Sequence, residues 1–269
     1  MEVSRSGYYG WVEAERRGSH AKDAVLLARI RQAEREHHGN LGVRRVHKAL
    51  NDEYGVKASK RRVQRVMHEN GIKARRSLKY KPQTTKADPN EAAYPNLLEQ
   101  KFKAERRNQV WLADITYIRV GGRWAYLAAV LDLYDRELVG WALGWSPTAE
   151  LACTALRRAL KRRKPACGLL LHSDRGCQYT SRAYRKLLEQ HRITGSMSRK
   201  GNPYDNAPME SFFKTLKVEW VNQHSYRDME EALGSLFYYI DVYYRCRRIH
   251  SALGFKSPKN YEKRTLPAV

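Results

Sequence analysis

Cysteine is scarce in this chain, and no apolar run reaches membrane length. The four cysteines, Cys153, Cys167, Cys177 and Cys246, form no CxxC pair, which argues against a zinc ribbon and a thioredoxin-like site. Since no secretory signature is visible either, we expect reduced thiols in a cytoplasmic protein. The longest apolar stretch, Trp124 to Leu131, is far too short to span a bilayer.

Acidic residues are heavily outnumbered. The 269 residues include 51 Lys or Arg against 28 Asp or Glu, a formal net charge of +23. The excess is spread along the chain, because residues 1–108 carry +12 and residues 109–269 carry +11. Such a balance favours a polyanionic partner that both parts contact. A generally basic surface of the ribosomal kind is the alternative.

The first 80 residues predict helices. One apolar stripe at helical spacing consists of Ala24, Leu27 and Ile30, and a second of Val43, Val46 and Leu50. A third helix is predicted from Ser59, a plausible N-cap, to Gly71. Its polar faces carry Lys60, Arg61, Arg62 and Arg65. The pattern is typical of a helix-turn-helix region, whose second helix would enter a DNA groove, and equally of a solvated helical bundle.

Residues 81–108 contain three prolines and lose periodicity, which predicts a basic linker whose lysines could follow a DNA backbone. From residue 109 the pattern predicts a core that extends to residue 269. Its predicted strands are Val110–Val120, Trp124–Leu133, Glu137–Trp145, Gly168–His172 and Ile193–Ser198, and its predicted helices are Ala149–Arg163, Ser181–His191, Asn206 to about Val221 and Arg227–Tyr244. This order predicts an α/β core, a mixed sheet with helices on both faces.

Three carboxylates stand out by their settings. Asp114 interrupts an apolar strand-like run, Asp174 follows the apolar run 169–171, and Glu210 lies 36 positions further on, in the first turn of a predicted helix. A strand, the end of a neighbouring strand and a helix across the sheet can bring such groups together. Hard oxygen ligands of this kind suit Mg²⁺ ions that act on a phosphodiester.

Each carboxylate also has a structural alternative. Asp114 could be bonded to backbone or to an arginine, since an unpaired buried Asp is costly. Asp174 could form a turn before Gly176, and Glu210 could simply stabilise a helix N-terminus. Lys214 and Lys217 share the helical face of Glu210, where they could hold DNA phosphates, although Lys214 could instead form a surface pair with Glu210.

The longer motifs resemble a bacterial insertion-sequence transposase of the IS-three family, the product of its second reading frame. VSRSGYYGW at residues 3–11 is similar to the N-terminal signature of that family. GVRRVHKAL and KRRVQRVMHENGI resemble its helix-turn-helix segment. HSDRGCQYTS, GNPYDNAPMESFFKTLK and RRIHSALGFKSP resemble its core motifs, so the likeness covers nearly the whole chain.

The resemblance implies a ribonuclease-H-like catalytic core of the retroviral-integrase superfamily. It assigns Asp114, Asp174 and Glu210 as the catalytic, metal-binding triad for two Mg²⁺ ions, or Mn²⁺, with Lys217 on the terminal DNA. The implied activity is cleavage that frees a 3′-hydroxyl, followed by strand transfer. The implied partners are double-stranded DNA at the terminal inverted repeats and at the target, further copies on DNA, and the upstream reading-frame product, with no membrane. The implied location is the bacterial cytoplasm, on the nucleoid.

Two positions depart from the family pattern. Ala113 stands where Thr is usual, and Arg245 stands where Asn is usual, which could alter a DNA contact. The family's active enzyme is normally a frameshift fusion with an upstream protein that carries another helix-turn-helix and a leucine zipper. Since this sequence starts after that point, we expect it to lack part of end recognition and dimerisation. A non-enzymatic DNA-binding regulator, or truncated relative acting on the same ends, is therefore the alternative function.

Several other residues are candidates for the site. We expect His172 to pack rather than to bind metal, Asp132 to make a structural bond, and Asp205 to shape the turn before the Glu210 helix. A C-terminal group mixes aromatic and basic side chains that could clamp DNA: Tyr238, Tyr239, Tyr243, Tyr244, Arg245, Arg247 and Arg248. At helical spacing, about half of the tyrosines should face the core.

Overall fold

The computed structural model describes residues 4–75 and 93–265. The chain divides into two compact units, residues 1–76 and 77–269. No helix in the described residues is both long enough and apolar enough to cross a membrane.

In the first unit, the described residues 4–75 contain three helices: α1 (Arg5–Glu36), α2 (Val43–Asp52) and α3 (Lys60–Glu69). Ser4 and Ser59 cap α1 and α3, since their hydroxyl oxygens accept hydrogen bonds from the main-chain N–H of Gly7 and Arg62. The predicted cap at Ser59 and the helix that follows it are confirmed.

Apolar side chains of all three helices form the core of this unit. The buried positions on α1 are Leu26, Ile30 and Ala33, and they pack with Val46, Leu50, Val63, Val66 and Met67. Ala24, which was predicted on the apolar stripe, is exposed. The stripe prediction was wrong at that residue because the buried face of α1 passes through Leu26.

A mixed five-stranded sheet forms the centre of the second unit. Its strands are β1 (Val110–Val120), β2 (Arg123–Asp132), β3 (Leu138–Gly144), β4 (Leu170–Ser173) and β5 (Thr194–Met197). Their order in the sheet is β3-β2-β1-β4-β5. The first three strands are antiparallel, whereas β4 runs parallel to β1 and β5 parallel to β4. The predicted α/β class and all five strands are confirmed.

Helices cover both faces of this sheet. The α-helices among the described residues of this unit are α4 (Ala149–Arg163), α5 (Cys177–Thr180), α6 (Arg182–Gln190), α7 (Ala207–Glu219), α8 (Met229–Phe237) and α9 (Pro258–Thr265). The predicted helix Arg227–Tyr244 begins later than expected, after the cap Asp228, and continues beyond α8 as a π-helical segment, Tyr238–Tyr244. Asn206 precedes α7 as predicted, but its side chain makes no cap hydrogen bond.

Alternation along β1 separates two cores. Leu112 and Ile118 pack on the α7 and α8 side, whereas Trp111 and Ala113 pack on the α4 and α6 side. On this second side α4 lies very close to β3, because a Cβ atom at Gly140 would come within 2.3 Å of the Ala155 carbonyl oxygen. A side chain at Gly140 would therefore push α4 off the sheet.

The described end of the predicted linker, residues 93–108, packs against this unit. Leu98 is buried in the α7-side core, and the Tyr94 ring lies over Gly195 of β5. The Asn108 N–H donates to Asp132 at 2.9 Å. These residues are therefore part of the core's packing, while the rest of the predicted linker lies outside the described residues. The domain boundaries at 80 and 108 stay predictions.

Candidate active site

Asp114 occupies the middle of β1. Since it is even-numbered like Leu112 and Ile118, alternation directs it to the α7 side of the sheet. Its Oδ1 atom accepts a hydrogen bond from the Ile115 N–H at 2.7 Å, which fixes the carboxylate. Burial raises the pKa of Asp114 well above its ordinary value, and the charges of Asp174 and Glu210 raise it further. Asp174 and Glu210 therefore both lie within electrostatic reach of Asp114.

Asp174 is half-buried and directly follows β4, whose parallel pairing with β1 brings it toward Asp114. Its Oδ1 atom accepts the Gly176 N–H at 3.0 Å, so the turn expected as its structural alternative does form. Gly176 leaves space for this turn, because a Cβ atom there would meet Gln178 Oε1 at 2.6 Å and Asp174 Oδ1 at 3.1 Å. The turn orients the carboxylate, so the structural and the site role are compatible.

Glu210 lies in the first turn of α7 and is exposed, although partial burial of its carboxyl raises the pKa. The Asn206 amide donates to the Ala113 carbonyl oxygen at 3.3 Å, which ties the start of α7 to β1 beside Asp114. Glu210 and Lys214 are both described, and no ion pair joins them. The surface pair considered for Lys214 is therefore not formed.

Lys217 also lies beside the carboxylates. Its Nζ atom is 4.0 Å from the centre of the Tyr117 ring. Burial lowers the pKa of Lys217 and the charge of Asp114 raises it, which places this cation next to Asp114. Tyr117, Gly176 and Asn206 thus help to arrange the site, and sequence reasoning did not assign them that role.

The site collects oxygen donors but does not enclose a cation as it stands. Within residues 4–75 and 93–265, no three His, Cys, Asp or Glu side chains are close enough to hold a metal ion together. The donor set still fits a hard divalent cation, since burial and then the charges of Asp174 and Glu210 raise the pKa of Asp114, and a cation among these carboxylates would offset their repulsion.

His172 is fully buried and contacts two serine hydroxyls, Ser196 at 2.9 Å and Ser198 at 3.1 Å. Burial lowers its pKa to about 4, so the ring is neutral near pH 7. The expected packing role is confirmed.

Asp132 and Asp205 have the structural contacts that were expected of them. Asp132 is buried and accepts the N–H groups of Asn108 and Tyr134, and burial together with the charge of Asp135 raises its pKa to about 6. Asp205 accepts hydrogen bonds from the Arg199 main chain and guanidinium, and from two side-chain amides, those of Asn96 and Gln100. Arg199 lowers the pKa of Asp205 far below its ordinary value.

The basic residues proposed to contact DNA fall into three classes. Arg61, Lys214 and Arg247 are exposed. Arg62 and Arg65 are ion-paired with Asp23 of α1 at 2.7 and 2.6 Å. Arg248 is only 8 % exposed, and both of its ion-pairing nitrogens contact Glu219, at 2.7 and 2.8 Å. The proposed DNA contact of Arg248 is therefore corrected, because a buried guanidinium held by Glu219 is out of reach of DNA.

The rest of the C-terminal aromatic and basic group is mainly structural. Tyr239, Tyr243 and Tyr244 are buried, whereas Tyr238 is exposed. Arg245 forms an ion pair with the buried Glu137 at 2.8 Å, which explains this departure from the family pattern without a DNA contact. The other departure, Ala113, faces the α4 side of the sheet, so the missing hydroxyl does not come from the face that carries Asp114.

The fold and the site define a class, polynucleotide-processing proteins with an integrase core. Residues 104–203 and 191–258 match families described as Integrase core domain, and residues 20–80 match the HTH-like domain. A protein of the simian T-cell lymphotropic virus intasome, solved in complex with PP2A regulatory subunit B56 gamma, has the same fold at a TM-score of 0.52. It is 15 % identical, over 79 % of this chain and 70 % of that chain.

Curated relatives are much more similar. The 31 kDa protein of insertion element IS600 from Shigella sonnei is 40 % identical over 97 % of this chain and 96 % of its own length. Transposase InsF for insertion sequence IS3A from Escherichia coli K12 is 38 % identical over 99 % of this chain and 92 % of its own length. The chain belongs to the IS-three family of insertion-sequence transposases.

Proposed function

We propose that this chain is a DNA transposase that uses Mg²⁺ to cleave DNA at the ends of an insertion sequence and to transfer the freed 3′-hydroxyl to a second phosphodiester. Asp114, Asp174 and Glu210 hold the metal, as two ions, and Mn²⁺ would serve in its place. The observation that carries the proposal is the position of Asp174 and Glu210 near Asp114, whose pKa is raised first by burial and then by their charges, with Lys217 alongside. When bound, Mg²⁺ would stabilise negative charge on the attacking and leaving oxygens.

Neighbouring groups of the chain prepare the site. The Ile115 and Gly176 N–H groups orient two of the carboxylates, and the Asn206 contact to β1 sets the start of the helix that carries Glu210. Lys217 and Lys214 lie on the α7 face of Glu210, where they would bind DNA phosphates beside the reacting bond. Partial burial of Lys217 strengthens such a contact, because water screens it less.

The remaining contacts with DNA follow from charge and exposure. Arg61 on α3 and Arg247 near the C-terminus present exposed cations, and the net charge of +23 supports counterion release on a long duplex. Arg62 and Arg65 contribute less, since each already pairs with Asp23. The proposed partners are the terminal repeats, target DNA, further copies assembled on DNA and the upstream reading-frame product, and the place of action is the nucleoid.

The test is strand cleavage and joining on labelled DNA that carries the element's own ends, with Mg²⁺. Glu210→Gln should abolish joined product. Glu230→Gln is the matched control, because Glu230 is likewise exposed in the first turn of a helix, α8, and should retain joining. Binding by the wild-type chain without metal-dependent chemistry would instead support a DNA-binding regulator.

A further inference from the structure

A row of two cations with two aromatic rings between them leads away from the proposed catalytic carboxylates. Lys217, beside Asp114, has its Nζ atom 4.0 Å from the Tyr117 ring centre. Tyr117 meets Trp124 edge to face at a centroid distance of 4.9 Å. The Arg119 guanidinium carbon lies 4.9 Å from the Trp124 ring centre. We name Tyr117, Arg119 and Trp124 the hairpin platform.

The strand register explains why these three side chains meet. In the antiparallel pairing of β1 and β2, Arg119 lies directly opposite Trp124, and Tyr117 lies two positions from Arg119 on the same face. The pairing of β4 with β1 ends at Leu112, so β4 does not cover this part of the β1 edge. Between Leu112 and the bridge that joins Val120 to Tyr226, Lys217 reaches Tyr117 from α7.

The platform is accessible. Trp124 is 45 % exposed and Arg119 is exposed, whereas Tyr117 beneath them is half-buried. The exposed indole of Trp124 leaves apolar surface in contact with water, which is unfavourable. A partner that covered this ring would therefore gain free energy. Unpaired bases are the partners that stack on aromatic rings and on guanidinium planes, and the adjacent cations suit the phosphates that join them.

We propose that the hairpin platform binds an unpaired DNA segment, the stretch next to the reacting phosphodiester. This inference rests on the proposed function for the identity of the polymer. Because only one strand of the end is transferred, bases next to the reacting bond need not stay paired with the complementary strand. A stacking surface linked through Lys217 to the carboxylates would hold the separated bases close to the site.

Binding without chemistry tests this proposal. The full chain is titrated, in EDTA, with two fluorescein-labelled duplexes of the same sequence, one fully paired and one with a short unpaired 3′ strand. The wild-type chain should prefer the unpaired end. Trp124→Ala should weaken binding of that probe by roughly 5- to 150-fold, the range expected for loss of one stacked base, and leave binding of the paired duplex unchanged.

Trp145 provides the matched control. Its side chain is 40 % exposed, and the Arg123 guanidinium carbon lies 4.5 Å from its ring centre. It is not part of the row that starts at Lys217. Trp145→Ala should keep the preference for the unpaired end, and Trp124→Phe should keep much of it. Arg119→Ser leaves every aromatic ring in place and should also lower the preference for the unpaired end. This variant tests the platform even if Trp124→Ala has a folding defect.

Equal loss in Trp124→Ala and Trp145→Ala, or an unchanged preference in Trp124→Ala, would overturn the proposal. The outcome is separate from that of the proposed function, because EDTA prevents the chemistry. A chain that joins DNA without preferring the unpaired end keeps the proposed function and loses the platform. A chain that prefers the unpaired end through Trp124 but never joins DNA keeps the platform and loses the proposed function.

Discussion

Two groups of carboxylates in the second unit differ in what compensates their charge. The first group is Asp114, Asp174 and Glu210. The second, which we call the arginine-paired group, is Asp135, Glu137, Asp205 and Glu219. All four of its members are buried and ion-paired with arginine, at distances between 2.7 and 3.3 Å.

In the first group the neighbours are other carboxylates, a lysine and main-chain N–H groups, and the pKa of Asp114 rises. The charge of a buried carboxylate that is paired with arginine is already compensated, so such a carboxylate serves the fold. Carboxylates that lie close to one another would be stabilised by binding a cation. Burial of a carboxylate alone therefore does not show whether it serves the fold or a functional site.

The largest expected effect is on joining. Asp114→Asn should lower strand transfer at least about a thousand-fold, equivalent to about 4 kcal/mol of transition-state stabilisation. The same change should leave the metal-free fold at least as stable, because it removes like-charge crowding. Single-turnover joining and thermal unfolding measure the two effects. Asp52→Asn, an exposed position on α2, is the control, and joining by Asp114→Asn at the rate of that control would refute the assignment.

The opposite behaviour is expected in the arginine-paired group. Glu219→Gln leaves Arg248 as an uncompensated buried cation, which should cost about 3–5 kcal/mol of unfolding free energy. Denaturant titration measures the loss. Glu231→Gln removes the partner of Arg227 in an exposed pair and should cost less than about 1 kcal/mol. Similar losses in both variants would remove the distinction between buried and exposed pairs.

Asp205 gives a pH-dependent form of the comparison. Because Arg199 holds its folded-state pKa below the unfolded value, its stabilisation is complete above about pH 4 and is lost as the pH falls through the folded-state pKa. Asp205→Asn should therefore cost about 2 kcal/mol at neutral pH and progressively less in acid. Unfolding free energies of both proteins across this range provide the test. A difference that does not change with pH would contradict it.

The smallest expected effect is stabilisation by the metal alone. Mg²⁺ at a tenfold excess over its Kd should raise the unfolding free energy by about 1.4 kcal/mol. Asp174→Asn should abolish the increase while its amide oxygen retains the Gly176 contact. Thermal unfolding at constant ionic strength, with Na⁺ replacing Mg²⁺, isolates the specific term. An equal rise in the variant would show that the ion acts elsewhere.

Local pattern was sufficient for most elements and for the choice of candidate carboxylates. The helix Ala149–Arg163 and the strand Val110–Val120 occur with the predicted bounds. Their periods and caps are encoded within a few residues, so no distant contact is needed to define them. Asp114 stood out for a similar reason, as a charge inside an apolar strand.

Partners far apart in sequence account for what pattern missed. Arg248 looked like a surface cation because nothing nearby reveals Glu219, 29 positions earlier, as its partner. Residues 93–108 looked like a linker because their anchors, Gly195 and Asp205, lie about a hundred positions away. Asp241, inside the π-helical segment Tyr238–Tyr244, likewise contacts partners far away in sequence, Trp141 and Arg162.

The side chain of Asp205 connects two parts of the second unit that lie far apart in sequence. Its carboxylate grips Asn96 and Gln100, which lie where the described chain enters the core, and Arg199, which lies in the loop ahead of α7. Through this carboxylate, tension on the chain at that entrance would reach a point five residues before Glu210. The anchor of residues 96–100 and the position of α7, the helix that carries Glu210, therefore depend on the same carboxylate.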